Sequence, residues 1–308
     1  MDWMRLLRGT TEDKYIVSKE SYEELIYRAV QMLSQADAML IGAGAGLSTA
    51  AGLTYGGDRF TENFQEFIQK YGSAYMTDMY SAGFYPFPTE EKRWGYWSKH
   101  VYLNRIEPNA LPLYRSVYQL TQGLEHFVLT TNVDHQFWKA GFRDENIFAT
   151  QGDYGLIQCA KACHSKTYQA VSMFERMNQA RKDCKIPSSM VPKCPVCGGP
   201  MSMNLRCDQY FVEDEKWHQA AERYEKFLMK MEHRRVVLLE LGVGFNTPVI
   251  IRFPFEEMTR VHETWSLIRL NLEEAMIPAS LKKCALGIPG NLVDTVGSLL
   301  SYPADQEM

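Results

Sequence analysis

Two pairs of cysteines carry the clearest chemical pattern in this 308-residue sequence. Cys194 and Cys197 are separated by two residues and followed by two glycines, and Cys159 and Cys163 lie upstream with three residues between them. Two thiolates at the first spacing can bind one tetrahedral zinc ion, and the glycines let backbone amides turn toward the sulfurs. The sequence therefore predicts a four-sulfur zinc site, which is structural because four protein ligands leave no open position for water.

The cysteine spacing also leaves alternatives open. The gap between Cys159 and Cys163 is looser than usual, so Cys184, Cys207 and His164 are alternative ligands. A plainer interpretation is that Cys159 and Cys163 are buried thiols without a metal. Six of the seven cysteines fall within a segment that lacks clear periodicity, which favours a small metal-bound module there.

A loop of small residues follows the first strand-like run of the sequence. Residues 38–42 are apolar and typical of a buried parallel strand. The loop that follows reads Gly44-Ala45-Gly46-Leu47-Ser48. The strict dinucleotide fingerprint fails, because Leu47 and Thr49 stand where it requires glycine. Small residues still let the backbone approach a pyrophosphate, and Ser48 is placed to cap a helix or to bond a phosphate.

Polar residues follow two further strand-like runs, and a second small-residue loop follows another. Thr131, Asn132 and Asp134 come at the end of an apolar run, where Asp134 is placed to cap the next helix. The second loop reads Gly242-Val243-Gly244-Phe245-Asn246-Thr247-Pro248. Asn271 ends a third run, where its amide is placed to bond a ribose hydroxyl.

A Gln-Gly pair, Gln151 and Gly152, follows the short apolar run at residues 147–149. Loops at the exits of parallel strands are where α/β enzymes place their catalytic groups. A glutamine side chain has no accessible protonation near neutral pH. Gln151 can therefore orient groups by hydrogen bonds but cannot act as a general base.

The alternation of strand-like runs with helical patterns predicts an α/β fold with a Rossmann-like parallel sheet. We expect a helical, aromatic-rich insertion at about residues 59–120 and a zinc-binding module at residues 156–209. The main domain would then comprise residues 1–155 and 210–308. Most aromatic side chains of the insertion are expected to pack into a second core, with a wall of the substrate cleft as the alternative. The prolines of residues 84–88 are expected to interrupt its helices.

The bulk composition excludes some classes of function. A formal net charge of −4 and a pI near 6.0 give no basic field for nucleic acid. No run of about 18 apolar residues predicts a membrane span. Residues 1–15 do not resemble a signal peptide, and the cysteines suit a reducing compartment, so we expect a cytoplasmic protein.

Taken in order, these motifs resemble those of the sirtuin family. That family carries a GAG-x-S loop, a T-Q-N-x-D motif, a His-Gly pair, two zinc cysteine pairs, a G-[ST]-S loop and a late Asn strand. The resemblance covers roughly residues 20–302 and implies NAD and zinc as cofactors. Gln151, the run GLTYGGDRF at residues 52–60 and the aromatic insertion make the chain similar to the macrodomain-linked, class M branch of microbial sirtuins.

The resemblance implies a set of NAD-binding residues. These are Gly44, Ala45, Gly46, Ser48, Thr54, Tyr55, Arg59, Thr131, Asn132, Asp134, Gln151, Gly242, Gly244, Asn246 and Asn271. The run at residues 54–60 replaces the Pro-Asp-Phe-Arg of ordinary sirtuins, and in it Asp58 and Arg59 are candidates for the missing charges. Its place directly after the loop favours a mobile lid over NAD rather than a plain glycine turn.

The glutamine changes the chemistry that the resemblance implies. In deacylating sirtuins the acyl oxygen of a modified lysine displaces nicotinamide, and the histidine of the His-Gly pair then activates a ribose hydroxyl. Breaking the nicotinamide bond needs orientation and electrostatic support rather than proton transfer. We therefore expect an NAD-dependent protein ADP-ribosyltransferase with Asn132, Asp134 and Gln151 as its catalytic residues. Asn132 would position the nicotinamide ribose or a water, Asp134 would support the loop, and Gln151 would hold ribose hydroxyls.

The resemblance further implies a protein substrate, a lipoyl carrier of the glycine-cleavage H type, with its modification reversed by a partner macrodomain hydrolase. One alternative is an NAD-dependent protein-lysine deacylase, with His135 or water as base. We favour His135 as a residue of a first helical turn that faces solvent or core. Another alternative is a non-catalytic module that senses NAD or ADP-ribose.

Overall fold

The computed structural model describes residues 14–302. Residues 1–13 and 303–308 lie outside the described residues, and with them most of the segment on which the signal-peptide expectation rests. Within residues 14–302, no helix is both long enough and apolar enough to cross a membrane.

Eleven strands and eleven α-helices make up the described region. The strands are β1 (Tyr15–Ile16), β2 (Ala38–Ala43), β3 (Glu125–Thr130), β4 (Ile147–Ala149), β5 (Gly152–Cys159), β6 (Thr167–Gln169), β7 (Met201–Leu205), β8 (Val236–Leu241), β9 (Trp265–Asn271), β10 (Ile277–Pro278) and β11 (Ala285–Pro289). The helices are α1 (Tyr22–Ser34), α2 (Ala45–Ala50), α3 (Gly57–Tyr71), α4 (Met79–Gly83), α5 (Glu90–Val101), α6 (Pro112–Leu120), α7 (Gln136–Lys139), α8 (Val171–Ala180), α9 (Glu215–Met231), α10 (Arg252–Val261) and α11 (Leu292–Ser301). A π-helical turn, Tyr102–Ile106, extends α5.

Six parallel strands form the main sheet in the order β4-β3-β2-β8-β9-β11. The chain runs outward from β2 in one direction and then returns to place β8 on its other side. This reversal of strand order is the switch point of a doubly wound fold, where ligands bind beyond the carboxyl ends of the strands. The predicted α/β class with a Rossmann-like sheet is confirmed.

The sheet is buried on both faces because helices cover both. Every residue of β2 and β8 is buried. Side chains of β2 alternate between two apolar cores, with Met39 and Ile41 on one face and Leu40 on the other. Helices α1, α6 and α11 pack on the first face, and α9 and α10 on the second. Both cores hold the carboxyl ends of β2 and β8 in fixed positions.

The helical insertion forms its own aromatic core, as the sequence predicts. Phe60, Phe64, Phe67 and Tyr96 are buried together between α3 and α5. Helix α4 ends at Gly83 and α5 begins only at Glu90, so the two prolines between them do interrupt the helices.

A second, three-stranded antiparallel sheet has the order β6-β5-β7 and packs against α5 and α8. Its first strand begins at Gly152, directly after the loop that carries Gln151. The division of the chain at residues 155 and 210 stays a prediction.

Candidate active site

A cavity of about 300 Å³ lies beyond the carboxyl ends of β2, β3 and β4, beside the switch point of the sheet. Its wall combines both loop motifs with residues of the insertion and the small sheet. The lining residues are Ala45, Ser48, Thr49, Leu53, Tyr55, Tyr80, Thr131, Asn132, Val133, Asp134, Gln151, Tyr154, Leu205, Arg206 and Thr247. Predicted residues from four separate motifs therefore meet at one site.

The glycines of the first loop pack against the second loop. Gly46 donates its amide to the carbonyl of Gly242 (2.9 Å), and the Gly44 amide bonds Leu241 (3.0 Å). A Cβ on Gly242, which has φ +59°, would lie 2.4 Å from the amide nitrogen of Leu47. The two loops can approach this closely only without side chains. The small residues thus serve loop-to-loop packing, a requirement that the sequence alone does not reveal.

Ser48 does not cap a helix. Helix α2 begins at Ala45 with Gly44 as its N-cap, which places Ser48 inside the helix. Its hydroxyl donates to Asp134 Oδ2 (2.5 Å) and lies 2.9 Å from the hydroxyl of Tyr114. Ser48 therefore supports Asp134 from within the cavity wall. Its predicted helix-capping role is wrong, and its bond to a phosphate stays a prediction.

Asp134 is a buried carboxylate held by uncharged donors. Oδ1 accepts the amide of Gln136 at the start of α7, although the N-cap position itself belongs to His135. Oδ2 accepts from Ser48, with Tyr114 at 3.4 Å. Burial raises the pKa of Asp134 above its usual value. Within the described part of the chain, no lysine or arginine bonds this carboxylate.

Asn132 presents one free acceptor to the cavity. Its Nδ2 donates to the carbonyl of Gly44 (2.9 Å) and to the hydroxyl of Tyr114 (3.2 Å). Both amide protons are thus used, and Oδ1 has no hydrogen-bond partner among residues 14–302. An asparagine held in this way can accept a hydrogen bond from a ligand hydroxyl or water.

Gln151 lies in the loop between β4 and β5, on the cavity wall. Its backbone carbonyl accepts the amide of Arg206 (3.1 Å), which fixes the loop to the end of β7. Its side-chain amide bonds no other residue in the described region. The site therefore offers the whole side-chain amide of Gln151 and the Oδ1 of Asn132 to a ligand.

His135 lies outside the cavity wall. Its Nδ1 is 2.6 Å from Asp153 Oδ2, and its ring stacks on Trp138 at 4.4 Å. Asp153 also accepts from Arg105 Nε (2.8 Å). Burial alone would raise the pKa of Asp153, but His135 and Arg105 hold it below its usual value. His135 thus belongs to a charged group behind the site.

The run at residues 54–60 divides between the site and the aromatic core. The Tyr55 hydroxyl bonds that of Tyr154 at 2.8 Å on the cavity wall. Arg59 instead donates to the Thr54 carbonyl (2.8 Å) and to Asn104 Oδ1 (2.8 Å). Its guanidinium is committed to protein partners, and neither Thr54 nor Arg59 reaches the wall. The lid over NAD stays a prediction.

The second loop contributes Thr247 rather than its glycines to the wall. Asn271 holds this loop from below, because its Nδ2 donates to the Val243 carbonyl (3.1 Å). Its Oδ1 accepts the amides of Glu273 and Glu274. The Asn271 side chain is therefore occupied by backbone partners, and the Gly242 carbonyl is likewise occupied by the amide of Gly46. Gly244 and Asn246 do not line the cavity.

The four cysteines of the two pairs converge. All their sulfurs lie within 4.8 Å of one another, with Cys159 to Cys197 at 3.8 Å and Cys163 to Cys194 at 3.6 Å. Sulfurs bound at about 2.3 Å in a tetrahedron lie about 3.8 Å apart, so the geometry fits a four-thiolate zinc site. Among the alternatives, Cys184 packs in the aromatic core and Cys207 is not part of the cluster. His164 lies at its edge, with Nδ1 3.1 Å from the Cys163 sulfur and 4.0 Å from that of Cys194.

Comparisons with known proteins agree with this geometry. No protein-family model matches the chain. It is 34% identical over 270 residues to a protein ADP-ribosyltransferase of Staphylococcus aureus, a match that covers 87% of this chain and 84% of the relative. The solved structure of a Sir2 homologue–NAD complex has a TM-score of 0.56 at 15% identity and covers 95% of this chain and 97% of its own.

The chain belongs to the protein ADP-ribosyltransferases, and it shares the fold of the Sir2 structures.

Two other comparisons extend this assignment. The chain is 34% identical over 283 residues to a Fusarium oxysporum protein named "Probable bifunctional ADP-ribose hydrolase/ADP-ribosyltransferase". That match covers 86% of this chain but 46% of the relative, so the chain spans about half of its length. A Sir2 complex with a p53 peptide and NAD+ has a TM-score of 0.53 at 16% identity, covering 89% of this chain and 97% of its own. Both structural likenesses show the fold.

Sequence reasoning missed several residues of this site. Tyr80 and Tyr154 line the cavity from the insertion and the small sheet, and Tyr114 lies beneath it. Arg206 reaches the wall from the end of β7, with its guanidinium 4.2 Å from the ring of Phe211. None of these residues belongs to a recognisable motif. Only one expectation pointed to any of them, namely that aromatic residues of the insertion form a wall of the substrate cleft. We had favoured the other interpretation, in which most of them pack into a second core.

Proposed function

We propose that this chain transfers ADP-ribose from NAD to a carboxylate of a protein acceptor, using Asn132, Asp134 and Gln151. The observation that supports this is the free side-chain amide of Gln151 and the free Oδ1 of Asn132, on a wall that holds no imidazole among its described residues. An amide can orient hydroxyls but cannot take a proton. Such a site suits a reaction in which no proton must be removed.

The bond changes balance without a general base. The bond between nicotinamide and the ribose C1′ carbon breaks, and nicotinamide leaves with the electron pair. A carboxylate oxygen of the acceptor forms the new bond to C1′, and because it is already ionised it has no proton to lose. Positive charge grows on the ribose during this exchange, so the protein's contribution is orientation and electrostatic support.

Each catalytic residue has a defined part in this proposal. Oδ1 of Asn132 accepts from a ribose hydroxyl or holds a water beside it. Gln151 bonds the ribose hydroxyls from the neighbouring loop. In its ionised form Asp134, with no cation in contact among the described residues, would place negative charge near the growing positive charge. Arg206 also lines the wall, but its guanidinium is paired with Glu213 (2.5 Å) and bonds the Thr150 carbonyl (3.3 Å).

The switch-point cavity fits NAD. The closely packed backbone of the two loops leaves Ala45, Thr131 and Thr247 facing the cavity, where they would bind the dinucleotide. Gly44, Gly46, Gly242 and Gly244 would shape its backbone cradle from behind, together with Asn246. The four-cysteine cluster would bind zinc as a structural ion that holds β5 to the Cys194–Cys197 turn and takes no part in the reaction.

The finer identity of the partners also belongs to this proposal. The resemblance to the class M branch supports a lipoyl carrier of the glycine-cleavage H type as acceptor. It also supports a partner macrodomain hydrolase that removes the modification, and the Fusarium relative bears the name of both activities. A cytoplasmic location is consistent with seven free cysteines.

The test uses the purified protein, NAD labelled on its adenylate half, and an extract of its own source grown with and without lipoate. We expect label on one small carrier protein, dependent on lipoate and lost with Asn132→Ala or Gln151→Ala. Intact-mass analysis would follow the proteins and the small molecules. An unlabelled proteome with acyl-ADP-ribose among the small molecules would contradict the proposal.

Protein-lysine deacylation is a second candidate, favoured by the short contact between His135 and Asp153 (2.6 Å). A histidine oriented by a carboxylate is a common general base. Its position outside the cavity wall ranks this candidate second. An acyl-lysine peptide that drives nicotinamide release, in a manner abolished by His135→Ala, would support it.

A further inference from the structure

We propose that Tyr114 is a positioning residue, whose buried hydroxyl fixes the Asn132 amide so that Oδ1 faces the cavity. This inference rests on the proposed function, because it assigns to Tyr114 an effect that acts through Asn132. Tyr114 lies on α6, outside every sequence motif and outside the cavity wall.

The Tyr114 hydroxyl is the junction of a buried polar cluster. It lies 2.9 Å from Ser48 Oγ, 3.2 Å from Asn132 Nδ2 and 3.4 Å from Asp134 Oδ2. We call these four residues the Asp134 cluster. The Tyr114 ring is fully buried and packs edge-on against Phe137 at 5.0 Å. The ring position is therefore set by the core, and the hydroxyl has little freedom to follow another partner.

The chemistry of the donors gives this cluster a direction. An amide nitrogen can only donate, and an ionised carboxylate can only accept. Asn132 therefore donates to Tyr114, and Ser48 donates to Asp134. The Tyr114 hydroxyl donates toward Ser48 (2.9 Å), with Asp134 as its second, longer acceptor (3.4 Å). Each hydroxyl accepts one bond and donates one, so all protons are placed and the links polarise one another.

Two anchors are needed to fix the amide plane. The terminal torsion of asparagine is broad, so one bond to the Gly44 carbonyl would leave the plane free to rock. The second bond, to Tyr114, fixes it. The Gly44 carbonyl, an acceptor, also excludes the flipped amide. With both anchors made, Oδ1 has a single direction in which to meet a ligand.

The experiment compares Tyr114→Phe with Tyr224→Phe. Both remove one buried tyrosine hydroxyl, but that of Tyr224 has no partner among residues 14–302, and its ring packs in the sheet core against Phe127 and Phe148. Nicotinamide release would be measured from NAD, with desalted extract of the source as acceptor. We expect kcat to fall about ten-fold or more for Tyr114→Phe, with a small change in the KM for NAD, and no change for Tyr224→Phe.

A double-mutant cycle separates positioning from general stabilisation. If Tyr114 acts through Asn132, Tyr114→Phe has no further effect on kcat in an Asn132→Ala background. Equal effects in both backgrounds would overturn the proposal. The proposal would also be overturned if the kcat of Tyr114→Phe equalled that of Tyr224→Phe. Should Tyr114→Phe not fold, Ser48→Ala removes the next link of the cluster, and the same comparison applies to it.

A second readout needs no activity and so distinguishes this inference from the proposed function. In the protein alone, we expect both side-chain amide protons of Asn132 to exchange slowly with solvent in nitrogen-15 spectra, assigned by their loss in Asn132→Ala. In Tyr114→Phe one of them should exchange fast. Unchanged protection of both protons would contradict the role of Tyr114, whether or not the chain releases nicotinamide.

Discussion

Two buried polar clusters lie on neighbouring strands of the main sheet and are built on opposite principles. The Asp134 cluster, at the carboxyl ends of β2 and β3, surrounds one carboxylate with hydroxyls and amides. The Arg269 cluster, formed by Tyr15, Glu240, Arg252, Glu256 and Arg269, sits on β8, β9 and α10. Glu240 and Arg269 face each other across the register of β8 and β9.

In the Arg269 cluster every carboxylate contacts a guanidinium. Arg269 binds both oxygens of Glu240 (2.7 and 2.9 Å) and also Glu256 (2.8 Å). Arg252 joins this cluster to the second loop by donating to the carbonyl of Val243 (2.9 Å). Its charges are paired inside the protein, so it can hold the loop but offers nothing to a ligand.

The Asp134 cluster has the reverse properties. Its carboxylate contacts no cation within residues 14–302, and its far end leaves Asn132 Oδ1 without a partner. An unpaired buried charge weakens the fold, and an unpaired acceptor on a cavity wall can bind a substrate. We infer that the Arg269 cluster serves stability and the Asp134 cluster serves the reaction.

The largest expected effect on stability is that of Arg269→Met. It leaves Glu240 and Glu256 buried without their main partner, which should lower the free energy of unfolding by about 3–5 kcal/mol. Urea denaturation would measure it. Arg235→Ala, at a half-exposed pair with Asp37, is the control and should cost less than about 1 kcal/mol. An equal loss of unfolding free energy in both variants would contradict the stabilising role of the Arg269 cluster.

Asp134→Asn should change activity and stability in opposite directions. We expect nicotinamide release to fall by about ten-fold or more, because the amide removes the charge and reverses the last link of the cluster. Burial raises the pKa of Asp134 in the folded state above its value in the unfolded chain. The free energy of unfolding that Asp134 contributes therefore declines as pH rises from the unfolded-state pKa to the folded-state pKa. At neutral pH the neutral variant should unfold at the same or higher urea concentration. A loss of both nicotinamide release and stability in Asp134→Asn would instead show that Asp134 has a structural role.

The smallest effect is expected for Tyr15→Phe. The Tyr15 hydroxyl donates to Glu256 (2.9 and 3.1 Å), which keeps its bond to Arg269. Loss of this hydroxyl should lower the free energy of unfolding by about 1 kcal/mol and leave nicotinamide release unchanged. A reduced kcat would mean that the Arg269 cluster also acts on the reaction, through the second loop.

The sheet and the cysteine site were accessible from the sequence because they follow from local patterns. Apolar runs mark β2, β3 and β8, and cysteine spacing marks the metal ligands. The glycine loops were located correctly from the sequence. The reason that these positions require glycine is the contact between Gly46 and Gly242, which joins segments about 200 residues apart.

The support of the site could not be predicted in the same way. Tyr114 reads as one more aromatic residue on a helix, and its role depends on where α6 packs against β2 and β3. Arg206 follows a short strand without any motif. The commitment of Asn271 and Arg59 to protein partners likewise depends on tertiary neighbours. Residue type shows what a side chain can do, and packing decides which of its atoms stay free.

The most direct test of the central claim is the pH dependence of nicotinamide release, with the same extract as acceptor, for the natural protein and His135→Ala. A site without a general base should give one acid limb, at a pH above that expected for an ordinary aspartate because the pKa of Asp134 is raised. The rate should then stay constant through the neutral and mildly basic range in both proteins. An inflection where imidazole groups titrate, present in the natural protein and absent in His135→Ala, would contradict the account.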